Sequence, residues 1–410
     1  MSSARPSYRE LLTRELSLWA AISLAGRAPV AMAPLALVFL ARQSPGGYTL
    51  GASLASAYVL GEVVGAPLLG TRLSGGRQRL QLSAGLMAGA LAFGALPLAH
   101  TAPSPVLLAL AFLAGAAPAA CPGGLRAMLT RLVNEDLVSR ALSAEATLTQ
   151  CVWAAAPGLV VILALQVYPG APLVLGAVLM ATASLLLLRL EEPEAAQPAA
   201  SAERSSAPMT RTLLSGWPVY LTSAAAMAML ATAELVLPAL LEDRHIAVGW
   251  SGLLLAGFSL ASAAGAFCYG LRTWPGSVRV QSLVFLAVTA GWVCLITLLP
   301  GLAGIAVALL PAGFFQSGVM VTRNLSLRER LPEHAHAAAY SVMYAVQGVG
   351  YSLTASLSAV ALNLASPSAA ILGGVGITLL ITAVSAAAER PPKPTVTPGP
   401  PLSTGADQRG

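Results

Sequence analysis

With 410 residues, 56% of them apolar and only 10% charged, the chain has a mean hydropathy of +0.73. A soluble domain carries about 25% charged residues, so this composition excludes a water-facing globule and requires a surface that faces lipid. The net charge of +6 raises nucleic acid as a partner, but the placement of the basic residues, given below, argues against one.

Apolar runs at 16–40, 49–71, 80–99, 105–126, 142–166 and 170–189 predict six membrane helices. Six more are predicted at 213–241, 248–271, 279–299, 301–323, 337–363 and 368–388. The first run is long enough to span and is expected to stay as a helix rather than act as a signal peptide. The chain therefore divides into an N-terminal segment (1–15), a six-helix bundle (16–189), a linker (190–212), a second bundle (213–388) and a tail (389–410). RLEEPEAAQPAASAERSSAPMTR, at the break, is charged and unpatterned and reads as a flexible linker. The proline-rich tail has nothing to bury and is expected to be disordered.

Basic residues set the orientation. All but three of the 23 Lys and Arg residues fall on the side of the N-terminus, in segments around Arg5, Arg72, Arg126, Arg189, Arg272, Arg323 and Arg390. The opposite side carries only Arg42 and Arg244, and Arg27 lies within a span. Both termini are thus expected in the cytoplasm of a bacterial cell, with the chain in its plasma membrane. The single lysine, Lys393, and the abundance of alanine hint at a GC-rich source.

The two halves repeat. GAPLLGTR (65–72) and GAFCYGLR (265–272) share Gly65, Ala66, Gly70 and Arg72 with Gly265, Ala266, Gly270 and Arg272. Arg79 and Gln81 recur as Arg279 and Gln281 at the same offset of 200. Further on the offset is 197, and Arg126, Arg131 and Gln150 recur as Arg323, Arg328 and Gln347. Ordered matches with one slip indicate duplication. Six helices repeated in one orientation give two parallel halves with a cavity between them. Gly61-x-x-x-Gly65 and Gly85-x-x-x-Gly89 suit close helix packing.

On these features the chain resembles the major facilitator superfamily, an all-α fold of twelve transmembrane helices in two pseudo-symmetric halves. The resemblance covers about 16–388. The family's loop after helix 2 reads roughly Gly-x-Leu-Ala-Asp-Arg-x-Gly-Arg-Arg; here it is Gly70-Thr-Arg-Leu-Ser-Gly-Gly-Arg-Gln-Arg79. The family aspartate falls on Ser74, so a gate latch must use another acid, with Glu135 and Asp136 as the candidates. Helix 5 carries Ala156-Pro157-Gly158, a partial match to the efflux pattern Gly-Pro-x-x-Gly-Gly. With RAPVAM in helix 1, the layout resembles actinobacterial efflux-type members. The resemblance implies a cytoplasmic gate around Gly70, Arg72, Arg77, Arg79, Arg126, Arg131, Arg272, Arg323 and Arg328.

Few ionisable groups lie within spans: Arg27, Glu62, Glu234 and, near an inner end, Glu145. Charge in hydrocarbon is costly, so each is a functional candidate. Arg27 lies ~16 Å and Glu62 ~15 Å from the inner ends of their helices. This depth match predicts an Arg27–Glu62 ion pair, joined by Tyr58 one turn away, serving either as a fixed strut or as a moving part of transport. Arg27 stays charged, so Glu62 is the better proton carrier. Glu234 has no opposite charge at its depth. It suits proton coupling, the binding of a cationic substrate group, or an outer vestibule. Glu145 has Arg126 and Arg131 as candidate partners.

Gln150, Gln347, Trp153, Tyr344 and Tyr351 are candidates for lining a substrate cavity, with interhelical packing as the alternative. Pro29, Pro34 and Pro238 fall within helices 1 and 7 and can kink them. The cysteines Cys121, Cys151, Cys268 and Cys294 show neither metal spacing nor a disulfide framework. No P-loop, zinc motif, nucleophile elbow or dinucleotide fingerprint occurs, and His334 and His336 sit in a polar loop. The expectation is a monomeric secondary transporter without a cofactor, not an enzyme, working in the lipid bilayer. It would export a small, fairly apolar molecule in exchange for protons. Proton-coupled nutrient uptake and a transport-inactive membrane partner or sensor are the alternatives.

Overall fold

The computed structural model describes residues 8–42, 47–73, 77–190 and 208–389, apart from the side chains of Tyr48, Ala359 and Asn363. Twelve helices among them are long and apolar enough to cross a membrane. In chain order they are α1 (Arg14–Ala41), α2 (Gly47–Gly70), α3 (Gln78–Leu98), α4 (Ser104–Leu132), α5 (Glu135–Gln166) and α6 (Ala171–Arg189). The second half has α7 (Trp217–Asp243), α8 (Trp250–Leu271), α9 (Val278–Leu298), α10 (Gly301–Arg330), α11 (His336–Leu364) and α12 (Pro367–Ala388). The side of the layer where α1 begins is called the near face, and the opposite side the far face.

Sequence explains these elements locally. The α1 start is fixed by Thr13, whose hydroxyl accepts the Leu16 N–H at 3.2 Å. Helix α4 breaks at 117–120, where Pro118 has no N–H to donate. Large apolar side chains such as Leu60, Leu91, Leu260, Val307 and Leu380 point outward, as a lipid-facing belt requires. Each half has its own apolar core, one around Leu37, Leu86 and Phe93, the other around Leu240, Phe258 and Leu309.

The halves match helix by helix. Helix α1 packs on α5 and α6 as α7 packs on α11 and α12, and α2 packs on α4 as α8 packs on α10. Gly65 and Gly265 make the last pairing possible. A Cβ on Gly65 would strike the α4 backbone at Ala116, and one on Gly265 the α10 backbone at Phe314. Two of the repeated polar pairs keep their roles too. Arg79 donates to the Leu190 carbonyl at 2.6 Å, and Arg279 to the Ala386 carbonyl. Gln81 donates to the Arg72 carbonyl and Gln281 to the Trp274 carbonyl, each at 3.1 Å.

Two seams join the halves, α2 against α11 and α5 against α8. Small side chains fill them, including Ala66, Ala119 and Ala345 in one patch and Ala146 and Ala266 in another.

Several helix boundaries differ from expectation; α4, for one, runs on to Leu132 instead of ending at 126. Helix α5 begins at Glu135, seven residues before the expected 142, and α10 runs on to Arg330 instead of ending at 323. Both extensions are polar, yet Leu137, Val138, Arg140, Asn324, Ser326 and Leu327 are buried. They pack against protein, so hydropathy does not mark them as helix. A short helix, Met209–Leu214, lies inside the expected linker. The rest of that linker (191–207), the tail from 390 and the loop residues Ser74, Gly75 and Gly76 lie outside the described residues.

Candidate functional site

Three carboxyl groups organise the interior. The first is Glu145, ten residues into α5 and so ~15 Å from its near end. Its side chain is 1% exposed and holds two guanidinium groups. Arg126 of α4 donates twice, Nη2 to Oε1 at 2.7 Å and Nε to Oε2 at 3.1 Å. Arg27 of α1 donates from Nη2 to the same Oε1. Arg27 also donates to Ser23 at 3.1 Å and to Thr149 at 2.9 Å. Two buried cations thus share one anion, an arrangement stable only because every guanidinium nitrogen finds an acceptor.

This overturns the expected Arg27–Glu62 pair. The expected place of Glu145 near an inner end follows from a helix starting at 142, whereas α5 starts at Glu135. With α5 beginning at Glu135, Glu145 reaches the depth of Arg27. Arg126, not Arg131, is the further partner of Glu145; Arg131 donates to Gln78 at 2.6 Å.

Glu62 of α2 is the second carboxyl. It accepts the hydroxyl of Tyr58 at 3.3 Å and that of Tyr344, from α11, at 3.2 Å. The Tyr344 bond crosses from one half to the other. Glu234 of α7 is the third, and accepts the hydroxyl of Tyr351 at 3.3 Å. Tyr344, Gln347 and Tyr351 follow a spacing of three and four residues, which aligns them on one face of α11. Gln347 makes a long contact with the Met320 sulfur at 3.8 Å. Gln150 is half-buried on α5. Trp153 is 48% exposed, an outlying position compared with the other cavity candidates.

The expected gate residues separate into two groups. Arg328 and Arg126 bridge the halves. Arg328 grips Glu135 with two bonds, at 2.8 and 2.6 Å. Arg126 donates to Asn324 at 3.1 Å and lies 5.6 Å from the centre of the Tyr340 ring. Gly70 lets α2 approach Ser341 of α11. The others act within one half or face outward. Arg323 is fully buried and bonds Glu389 at 3.2 Å and Ser326 at 3.0 Å. Within the first half Arg79 ties α3 to the end of α6 and Arg131 ties α4 to α3, while Arg72, Arg77 and Arg272 are exposed, the last over Trp274 at 5.6 Å.

Asn324, Tyr340, Ser23 and Thr149 are site residues that sequence reasoning missed. One signal was present: Asn134-Glu135-Asp136 is an acidic first turn behind a capping residue type, a helix start. His336 caps the end of α10, its Nε2 lying 2.8 Å from the Leu331 carbonyl and 3.2 Å from that of Arg328.

The Major Facilitator Superfamily model matches residues 18–274. The chain belongs to the major facilitator superfamily. Solved superfamily-like structures cover nearly all of it. The human organic anion transporter MFSD10 (TETRAN) is 14% identical, with a TM-score of 0.72 over 93% of this chain and 100% of that one. The E. coli fucose:proton symporter FucP is also 14% identical, with a TM-score of 0.72 over 92% of this chain and 98% of its own. A bacterial homologue of the iron transporter ferroportin, in its outward-facing state, has a TM-score of 0.70 at 14% identity, over 92% of this chain and 98% of that one. At these identities the likeness establishes the fold alone. No curated protein matches the chain. Superfamily membership and twelve membrane-capable helices make it a multi-pass membrane protein with a transporter fold.

Proposed function

We propose that the protein exports a small, fairly apolar molecule across a bacterial plasma membrane in exchange for protons, with both termini in the cytoplasm. One observation carries the reading. Glu62 is held by two tyrosine hydroxyls, one from each half. An ionised carboxylate accepts such bonds about twice as strongly as a neutral one. Ionised Glu62 therefore favours halves that are joined at the near face, as they are here. A proton arriving from the far face weakens the grip and favours the opposite arrangement. Release of that proton on the near side resets the cycle. In this reading substrate binding on the near side displaces the proton, so protons move inward as substrate moves outward. Glu234, with its Tyr351 partner nearer the far face, is the second acid of the route. Gln150, Tyr344, Gln347 and Tyr351 then supply polar contacts to the substrate, while Tyr58, fully buried, acts only through Glu62.

Flux in proteoliposomes under an imposed pH gradient tests this. A panel of lipophilic cations, neutral compounds and organic acids should include at least one exported solute driven by the gradient. Gradient-driven accumulation in the opposite direction would favour the uptake reading. No gradient-driven flux of any compound would favour a non-transporting membrane partner.

A further inference from the structure

The two seams are related by the repeat. At the near end of α2, Gly70 faces Ser341 of α11; at the near end of α8, its mate Gly270 faces Ser143 of α5. Each glycine thus meets a serine of the helix across its seam. A Cβ added at Gly270 would come within 2.8 Å of the Ser143 Cβ. The α5/α8 seam, however, carries an extra element. A 3-10 turn, Tyr8–Leu11, precedes α1 and packs on α5. From it Tyr8 reaches the second half. Its ring stacks on Phe267 of α8, centroids 4.7 Å apart and planes 11° from parallel. Its hydroxyl donates to the Phe267 carbonyl at 2.8 Å. The missing side chain of Gly270 leaves the room that this hydroxyl occupies. Burial pushes the hydroxyl up to about 12, so it remains a neutral donor at physiological pH.

The second half answers with nothing comparable among the described residues. Its own leading helix, Met209–Leu214, packs on the turn Glu333–Ala335 of the same half.

We propose that the Tyr8 turn is a strap across the α5/α8 seam, which biases the protein toward the conformation closed at the near face. Tyr8 is joined to the first half by the chain and by its hydroxyl's bond with Ser143 of α5, while its stack and its bond to the Phe267 carbonyl are to the second half. Parting the near ends of α5 and α8 must break both. Losing one aromatic stack and one hydrogen bond shifts a two-state balance by roughly tenfold.

Spin labels on cysteines at Thr71 and Glu333 report the near face from the other seam, because both positions are exposed and lie on opposite halves. They are placed in full-length protein in nanodiscs, with the four native cysteines replaced. In Tyr8→Ala the longer-distance population relative to the shorter is expected to rise about tenfold. Tyr8→Phe keeps the stack and loses the hydrogen bond, so its rise should be smaller, about threefold. Leu12→Ala, next to the strap at a position 78% exposed, is the control for general loosening of the segment. Unchanged distances in Tyr8→Ala, or an equal rise in Leu12→Ala, would overturn the strap. If Tyr8→Ala does not yield folded protein, the Tyr8→Phe and Leu12→Ala distances decide by the same criteria.

Discussion

Tyr344 donates its hydroxyl to Glu62 across the boundary between the two halves, at 3.2 Å. Glu62 therefore sits where a proton can alter the contact between moving bodies rather than the interior of one. Replacing it by glutamine keeps the size and removes the titration. Glu62→Gln is expected to lower gradient-driven flux by about tenfold or more while substrate counterflow, which needs no net proton movement, continues. Gradient-driven flux at the wild-type rate would remove Glu62 from the coupling.

The tyrosine partner predicts a conformational effect. Tyr344→Phe deletes one hydrogen bond to a carboxylate, a contribution of about 1.5–3 kcal/mol when the acceptor is ionised. The near-closed population should fall at a pH high enough to ionise Glu62, read by the same label pair at Thr71 and Glu333. Little change is expected at a pH low enough to protonate Glu62, since the bond is then already weak. An equal effect at both pH values would argue against a charged acceptor.

Arg27, Arg126 and Glu145 predict an asymmetry in stability. Glu145→Gln leaves two guanidinium groups facing each other without a counter-charge, costing about 3–5 kcal/mol. Arg27→Gln should cost less, because Glu145 keeps both bonds from Arg126. Thermal unfolding in detergent, followed by intrinsic fluorescence, ranks the two. Exchanging charges between Arg27 and Glu62 should rescue nothing.

At the near surface the expectation is small. Glu135 is 77% exposed, so its bond to Arg328 contributes about 0–1 kcal/mol and is screened by salt. Glu135→Gln should shift the label distances modestly at low ionic strength and not at 1 M salt. Reversing both charges together should restore the wild-type distribution.

Glycine packing gives a sharper contrast. Gly65→Ala and Gly265→Ala each drive a methyl group into the backbone of a neighbouring helix, and should cost about 1–3 kcal/mol or more. Gly158→Ala, where a Cβ meets nothing within 4 Å, should be neutral in the same unfolding measurement.

Hydropathy and charge were enough to read twelve spans, their order and the repeat, because lipid imposes its demand on each helix separately. Contacts between helices were legible only where depth could be counted from a correctly placed end. Arg27 is recognisable as buried, but its partner is not, because the first turns of α5 mix the exposed Glu135 and Asp136 with the buried Leu137, Val138 and Arg140 and give no hydropathy signal. Tyr58 is legible as a partner of Glu62 from its place one turn away, whereas Tyr344 and Tyr351 are legible only as cavity residues, because their acids lie on other helices. Tyr8 carried no signal at all: a tyrosine in a short polar segment gains its meaning only from Phe267 and Gly270, more than 250 residues away.

The three-charge cluster has a bearing on tightness. Arg27, Arg126 and Glu145 together leave one positive charge fixed in the near half of the layer. A buried cation repels other cations strongly where the dielectric is low. Hydrated sodium and hydronium entering from the far face therefore meet an electrostatic barrier as well as a steric one. Under the proposed exchange, protons would pass on the carboxyl groups and not as free hydronium.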